Sequence, residues 1–172
     1  MYPTLKQGER LVLNRIQRTR KQLPKRGDII TFEQPSVTYI GEDKVDLSNP
    51  VAIYDKVPTN IFSKFAYYVL EWGKTSYIKR VIGLPGEHVQ IMDGKVYING
   101  SVLEDDVSED DILTAGLAAG ELTLGENEYF VLGDNRNNSE DSRFANVGVV
   151  KKDDIVGSVW FIASPMKRMR LL

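Results

Sequence analysis

Few residues in this chain are candidates for chemistry. It contains no cysteine and a single histidine, His88, so thiol catalysis, disulfide frameworks and Cys/His zinc sites are excluded by inventory. A catalytic centre must then use hydroxyl, amine or carboxylate groups. In Ser76-Tyr77-Ile78-Lys79-Arg80-Val81-Ile82, the alternation of a strand puts Tyr77, Lys79 and Val81 on one face and Ile78, Arg80 and Ile82 on the other. Lys79 therefore has apolar neighbours on its own side. Were that face covered, lost hydration would disfavour the ammonium form and leave an amine able to take a proton near neutral pH. Arg80, permanently charged, cannot do this. A strand lysine is more commonly solvated, so the strand alone leaves both readings open.

The second constellation is Gly133-Asp134-Asn135-Arg136-Asn137-Asn138-Ser139-Glu140-Asp141-Ser142-Arg143, eleven consecutive residues that are polar or glycine and follow an apolar strand. A solvated loop has this composition too. Yet Asp141 and Arg143, two apart, can share a side and form an ion pair, and Ser139 can offer its hydroxyl to a nearby amine. Such a loop suits the support of a catalytic amine. His88 follows the Gly83-Leu84-Pro85-Gly86 turn at the start of a strand and reads as a surface or strand-edge residue.

The elements that must position these groups are short strands, rich in β-branched and aromatic residues and bounded by Gly, Pro, Asp or Asn. They are expected over 9–14, 28–32, 77–82, 88–92, 95–98, 129–132 and 157–162. Asp93-Gly94 marks a tight hairpin. Helical spacing occurs in 61–72, where Phe62, Phe65, Ala66, Val69 and Leu70 recur, and it predicts a helix packed on the β core. That helix lies in a longer stretch, 33–75, which carries Pro35, Pro50 and Pro58 and reads as an insertion or cap within the domain. Residues 104–111 are acidic enough for a solvated loop. The expected fold is mainly β, one domain over 1–172 with a partly helical insertion.

Composition narrows the functions. With 172 residues, 42% hydrophobic and 27% charged, the chain can build a real core, and a net charge of −2 offers no whole-molecule attraction to nucleic acid or anionic lipid. No run of about 18 apolar residues suits a membrane span, and the absence of thiols fits either side of a membrane.

Three segments in order, Met1-Tyr2-Pro3-Thr4-Leu5, then Tyr77 to Gly86, then Gly133-Asp134-Asn135-Arg136 with Ser139, Asp141, Ser142 and Arg143, resemble the successive boxes of type I signal peptidases. Arg26-Gly27-Asp28-Ile29 resembles another. The resemblance implies a β-rich, membrane-associated peptidase domain that removes signal peptides with a serine nucleophile and a lysine base, and it implies no metal or cofactor. By that resemblance Lys79 is the general base, Ser139 orients its amine, Asp141 and Arg143 hold the loop, and Asp134 and Arg136 are structural. Met1, Leu5, Tyr77 and Ile78 would border the pocket for the small residue before the scissile bond, and Leu11 its neighbour. Small apolar pockets favour small-x-small sites, because a larger side chain overpacks them.

In the family pattern the nucleophilic serine stands directly before the methionine, here Met1. The expectation is therefore a serine and a membrane anchor on the N-terminal side of Met1, with residues 1–172 alone inactive and the domain outside the cytoplasm. Expected partners are secreted or pilin-type precursors and the cell membrane, with no nucleic acid. The alternative is a catalytically silent homologue that binds precursors or assembly partners through the same groove. A self-cleaving repressor-type Ser/Lys protease fits less of the chain.

Overall fold

The computed structural model describes residues 1–14, 23–33, 76–104, 107 and 111–172. The helix expected over 61–72 and the 33–75 insertion lie outside the described residues, Glu33 excepted. Eleven strands are present in the described part: β1 (Arg10–Asn14), β2 (Ile29–Glu33), β3 (Ser76–Gly83), β4 (His88–Met92), β5 (Lys95–Ile98), β6 (Ser101–Val102), β7 (Leu122–Thr123), β8 (Glu128–Leu132), β9 (Val150–Lys151), β10 (Ile155–Ser164) and β11 (Arg170–Leu171). The chain is mainly β, as the strand periodicity requires.

Two antiparallel sheets form. The larger runs β1-β10-β2-β3-β8-β9, with β11 beside β10, and the smaller runs β6-β5-β4-β7. Asp93 and Gly94, with φ of 50° and 75°, close the β4–β5 hairpin at the pair Met92 and Lys95, the primed-turn geometry that Asp-Gly favours. The strand expected at 157–162 is longer than its apolar run, because a register shift between Ile155 and Gly157 lets Ile155 pair with Phe32 ahead of the glycine.

Alternation along β3 sorts its side chains into separate cores. Tyr77 and Val81 pack with Ile30, Phe32, Tyr129 and Val131. Ile78 packs on the opposite side with Leu5, Ile29, Val159 and Ile162. Ile82, expected to follow Ile78, instead joins Val89, Ile91 and Phe130. The cause is a register shift between Val81 and Gly83 in the pairing with β8, which breaks the period of two. Arg26 ties this bend to the segment before β2: it donates to the Ile82 carbonyl and pairs with Glu87 at 2.5 Å. Glu87 in turn accepts from the Leu84 amide at 2.7 Å.

Candidate active site

Lys79 stands midway along β3, between Tyr77 and Val81 and directly opposite Ile30, which is fully buried. Its side chain is only 9% exposed. The Nζ atom donates to Ser139 Oγ at 3.1 Å and lies 5.3 Å from the centre of the Tyr77 ring. Burial pushes the Lys79 pKa down; Asp141 and Glu140 oppose the shift and Arg143 adds to it, and the net direction is downward. An amine so placed can be neutral at a pH where ordinary lysines are charged, and so can accept a proton.

Ser139 comes from the turn that follows β8. Residues Arg136–Asn138 form a 3₁₀ turn, after which Ser139 is extended and faces Gly133. A Cβ built at Gly133 would fall 2.1 Å from Ser139 Oγ and 2.6 Å from its Cβ. Only glycine lets the two segments come this close. Gly133→Ala should therefore cost about 1–3 kcal/mol by overpacking, measured by chemical denaturation, and Ser139→Gly in the same chain should recover part of the loss. A Gly133→Ala chain as stable as its parent would show that the two segments do not meet.

The rest of the loop is held by two bidentate ion pairs, and they are not both the ones its composition suggests. Arg143 Nε and Nη2 donate to Asp141 Oδ1 and Oδ2 at 2.7 and 2.9 Å. Both residues are buried, and Asp141 Oδ2 also accepts from the Gly133 amide at 3.1 Å. Asp134, however, is claimed from the strand: Arg80 Nε and Nη2 donate to its two oxygens, each at 2.8 Å. The side of β3 opposite Lys79 thus clamps the same loop. Arg136, 2% exposed, donates to the Gly133 carbonyl at 3.2 Å, and its own carbonyl accepts from Arg143.

Sequence reasoning missed several participants. Ser142 extends the β8 ladder: its amide donates to the Val131 carbonyl at 3.1 Å and its hydroxyl accepts from the Val131 amide at 2.9 Å. Thr114 offers its carbonyl to Arg143 at 3.2 Å. Glu140 accepts from the Tyr77 hydroxyl at 2.9 Å, and burial first, then this carboxylate, raise the Tyr77 pKa to about 12. A tyrosine near the start of a strand gives no sequence signal of such a bond.

Of the five expected pocket residues the structure brings four together. Met1, Leu11 and Ile78 lie half-buried against the cluster that contains Leu5, while Tyr77 belongs to the other side of β3 beside Phe32, ring centres 5.8 Å apart. Leu5 itself is buried. The Met1 amino group is lowered in pKa by burial and then by the charge of Lys79, with Asp134 opposing the shift. Thr4 Oγ1 accepts from Arg80 at 3.4 Å, linking the N-terminal segment to the strand that carries Lys79. His88 lies in the smaller sheet, exposed, with Nδ1 at 3.0 Å from Thr123 Oγ1 and 3.5 Å from Glu121.

The family described as "Signal peptidase, peptidase S26" matches residues 1–164. Signal peptidase I T of Bacillus subtilis (strain 168) is 34% identical, over 99% of this chain and 72% of its own length. Probable signal peptidase I-2 of Synechocystis sp. is 29% identical, over 100% of this chain and 62% of its own length. The chain thus spans between three fifths and three quarters of these two relatives. A crystal structure of a signal peptidase I from Enterococcus faecalis V583 is similar at 28% identity with a TM-score of 0.49, over 80% of this chain and 97% of that one. On the family match over nearly its whole length, the chain belongs to the signal peptidases of peptidase family S26, enzymes that remove signal peptides.

Proposed function

We propose that the protein cleaves precursor proteins after a small-x-small site by acyl transfer, with Lys79 as general base. In this reading a serine immediately before Met1 is the nucleophile. Neutral Lys79 takes its proton as the oxygen attacks the scissile carbonyl, then protonates the leaving amine, and a water activated by the same amine releases the acyl-enzyme. Ser139 fixes the direction of the amine, and the Asp141–Arg143 and Asp134–Arg80 pairs hold its loop, with Arg136 bracing the turn between them. Met1, Leu5, Leu11, Ile78 and Tyr77 border the substrate pockets. An N-terminal membrane anchor would hold residues 1–172 outside the cytoplasm, where secreted or pilin-type precursors emerge. Among the described residues no helix is long and apolar enough to cross a membrane.

One observation supports this reading above the others. The buried lysine amine is bonded to Ser139, and Met1 packs beside Ile78, the neighbour of Lys79 on β3, with the charge of Lys79 helping to lower the pKa of the Met1 amino group; a residue joined to Met1 would therefore lie near the amine. The test is a chain with serine added before Met1, offered peptides with alanine at both small positions and read by mass spectrometry. Cleavage after the second alanine is expected, along with loss of cleavage when that alanine becomes leucine. Binding without cleavage would replace the proposal by the silent-homologue reading.

The rate should also carry the signature of the lysine. Because its folded pKa is lowered, kcat/KM should rise with pH as the amine loses its proton and level off below the ordinary 10.5. A profile still climbing through 10.5 would exclude Lys79 as the titrating base.

A further inference from the structure

The segment after β10 makes contacts that the proposed chemistry leaves unexplained. Residues Met166–Arg168 form a 3₁₀ turn, and β11 then pairs back on β10, Arg170 opposite Ile162. Little of it is buried: Met166 is 86% exposed and Leu171 68%. Such a segment adds little to the hydrophobic core. Its charged side chains nevertheless reach one place. Arg168 Nη2 and Arg170 Nη2 both donate to the Thr4 carbonyl, at 3.1 and 3.2 Å. Arg168 Nε also pairs with Glu9, whose other oxygen accepts from the Lys6 amide at 2.9 Å.

Thr4 is thereby held from two directions. Its hydroxyl is bonded by Arg80 of the lysine-bearing strand, and its carbonyl by the two arginines that follow β10. Arg168 additionally spans from Thr4 to Glu9, so one guanidinium closes both ends of the turn leading from the first residues into β1. The family match ends at residue 164, short of both arginines.

We propose that residues 165–172 are a strap that positions the Met1–Leu5 segment against Lys79, with Arg168 as its main positioning residue. The inference rests on the proposed function in one respect: a nucleophile joined to Met1 can be aimed only if this segment is fixed. Misplacing a reacting group by about 1 Å can cost on the order of 10²-fold in rate. Arg168 touches neither Lys79 nor the substrate pocket in this account; it acts through Thr4.

Two measurements test the strap separately from the chemistry. In the 172-residue chain, ¹⁵N-detected titration of the Met1 amino group should show its lowered pKa returning toward the ordinary terminal value in Arg168→Ala. A smaller movement in the same direction is expected in Glu9→Gln, which removes the ion pair and keeps the shape, and which serves if Arg168→Ala does not fold. In the chain with serine before Met1, Arg168→Ala should lower kcat by roughly 10- to 10²-fold with KM within about twofold of the parent, and Arg168→Lys should restore part of the loss. An unmoved Met1 titration in both variants overturns the strap whether or not the serine-bearing chain cleaves. A moved titration with unchanged kcat in an active parent overturns it as well. If the parent never cleaves, the function fails while the titration still decides the strap.

Discussion

Lys79→Met in the chain bearing a serine before Met1 is expected to lower kcat by roughly 10²- to 10⁴-fold or more, the range for loss of a positioned general base, while the protein folds at least as well as its parent. Methionine keeps the unbranched length of the side chain and removes the charge. The folded site disfavours the ammonium form by burial, so the parent holds its lysine at a cost that methionine does not carry. The cost depends on pH in a definite direction. Below the lowered folded pKa both states are protonated and the penalty is complete. Between that point and the ordinary 10.5 the unfolded chain binds more protons than the folded one, so the stability of the parent rises with pH and the advantage of Lys79→Met shrinks. Denaturant midpoints of the two proteins across this window measure the convergence. A methionine variant that cleaves as fast as its parent, or whose stability advantage grows with pH, would remove the lysine from the mechanism.

Arg143→Ala should be the most destabilising single change in the loop, by about 3–5 kcal/mol, the range for leaving one partner of a buried ion pair uncompensated. At about 2–4 °C per kcal/mol for a chain of this size, Tm falls by roughly 6–20 °C. The reason is local. Asp141 is fully buried, and without the guanidinium its carboxylate keeps the Gly133 amide at 3.1 Å and a longer contact to the amide of residue 143 itself. The carbonyls of Thr114 and Arg136 lose a donor at the same time. Replacing the two partners together, Asp141→Asn with Arg143→Met, should cost less than Arg143→Ala alone, because no charge is then left unpaired. Calorimetry or denaturant unfolding reads the difference. A loss under about 1 kcal/mol for Arg143→Ala would mean that the pair is solvated and does not hold the loop.

Much of this arrangement can be read from local sequence, and the remainder cannot for physical reasons. The period of two along β3 puts Lys79 beside Tyr77 and Val81, but whether that face is covered is decided by the strands packed on it and not by the spacing. Asp141 and Arg143 are two residues apart, so their pairing needs no knowledge of the fold. Arg80 and Asp134 are 54 residues apart, and local spacing cannot distinguish that pair from one between Asp134 and the nearer Arg136. The change of face at Ile82 comes from a bulge set by the partner strand, a tertiary effect that overrides alternation. Arg168 and Thr4 are separated by 164 residues, and exposed basic residues near the end of a chain ordinarily read as solvated. Gly133 shows the limit from another side: its identity is plain in the sequence, but the reason for it is the Ser139 side chain, brought within 3 Å of where a Cβ would stand.

The proton affinity of one amine decides most directly among these readings. NMR titration of the protein labelled with ¹³Cε-lysine, with the Lys79 resonance identified by its absence from Lys79→Met, measures it without any requirement for cleavage. The expected result is a Lys79 amine that loses its proton below 10.5, moving upward when Ser139→Asp sets a further carboxylate against it. A Lys79 resonance that titrates at or above 10.5 would contradict the account.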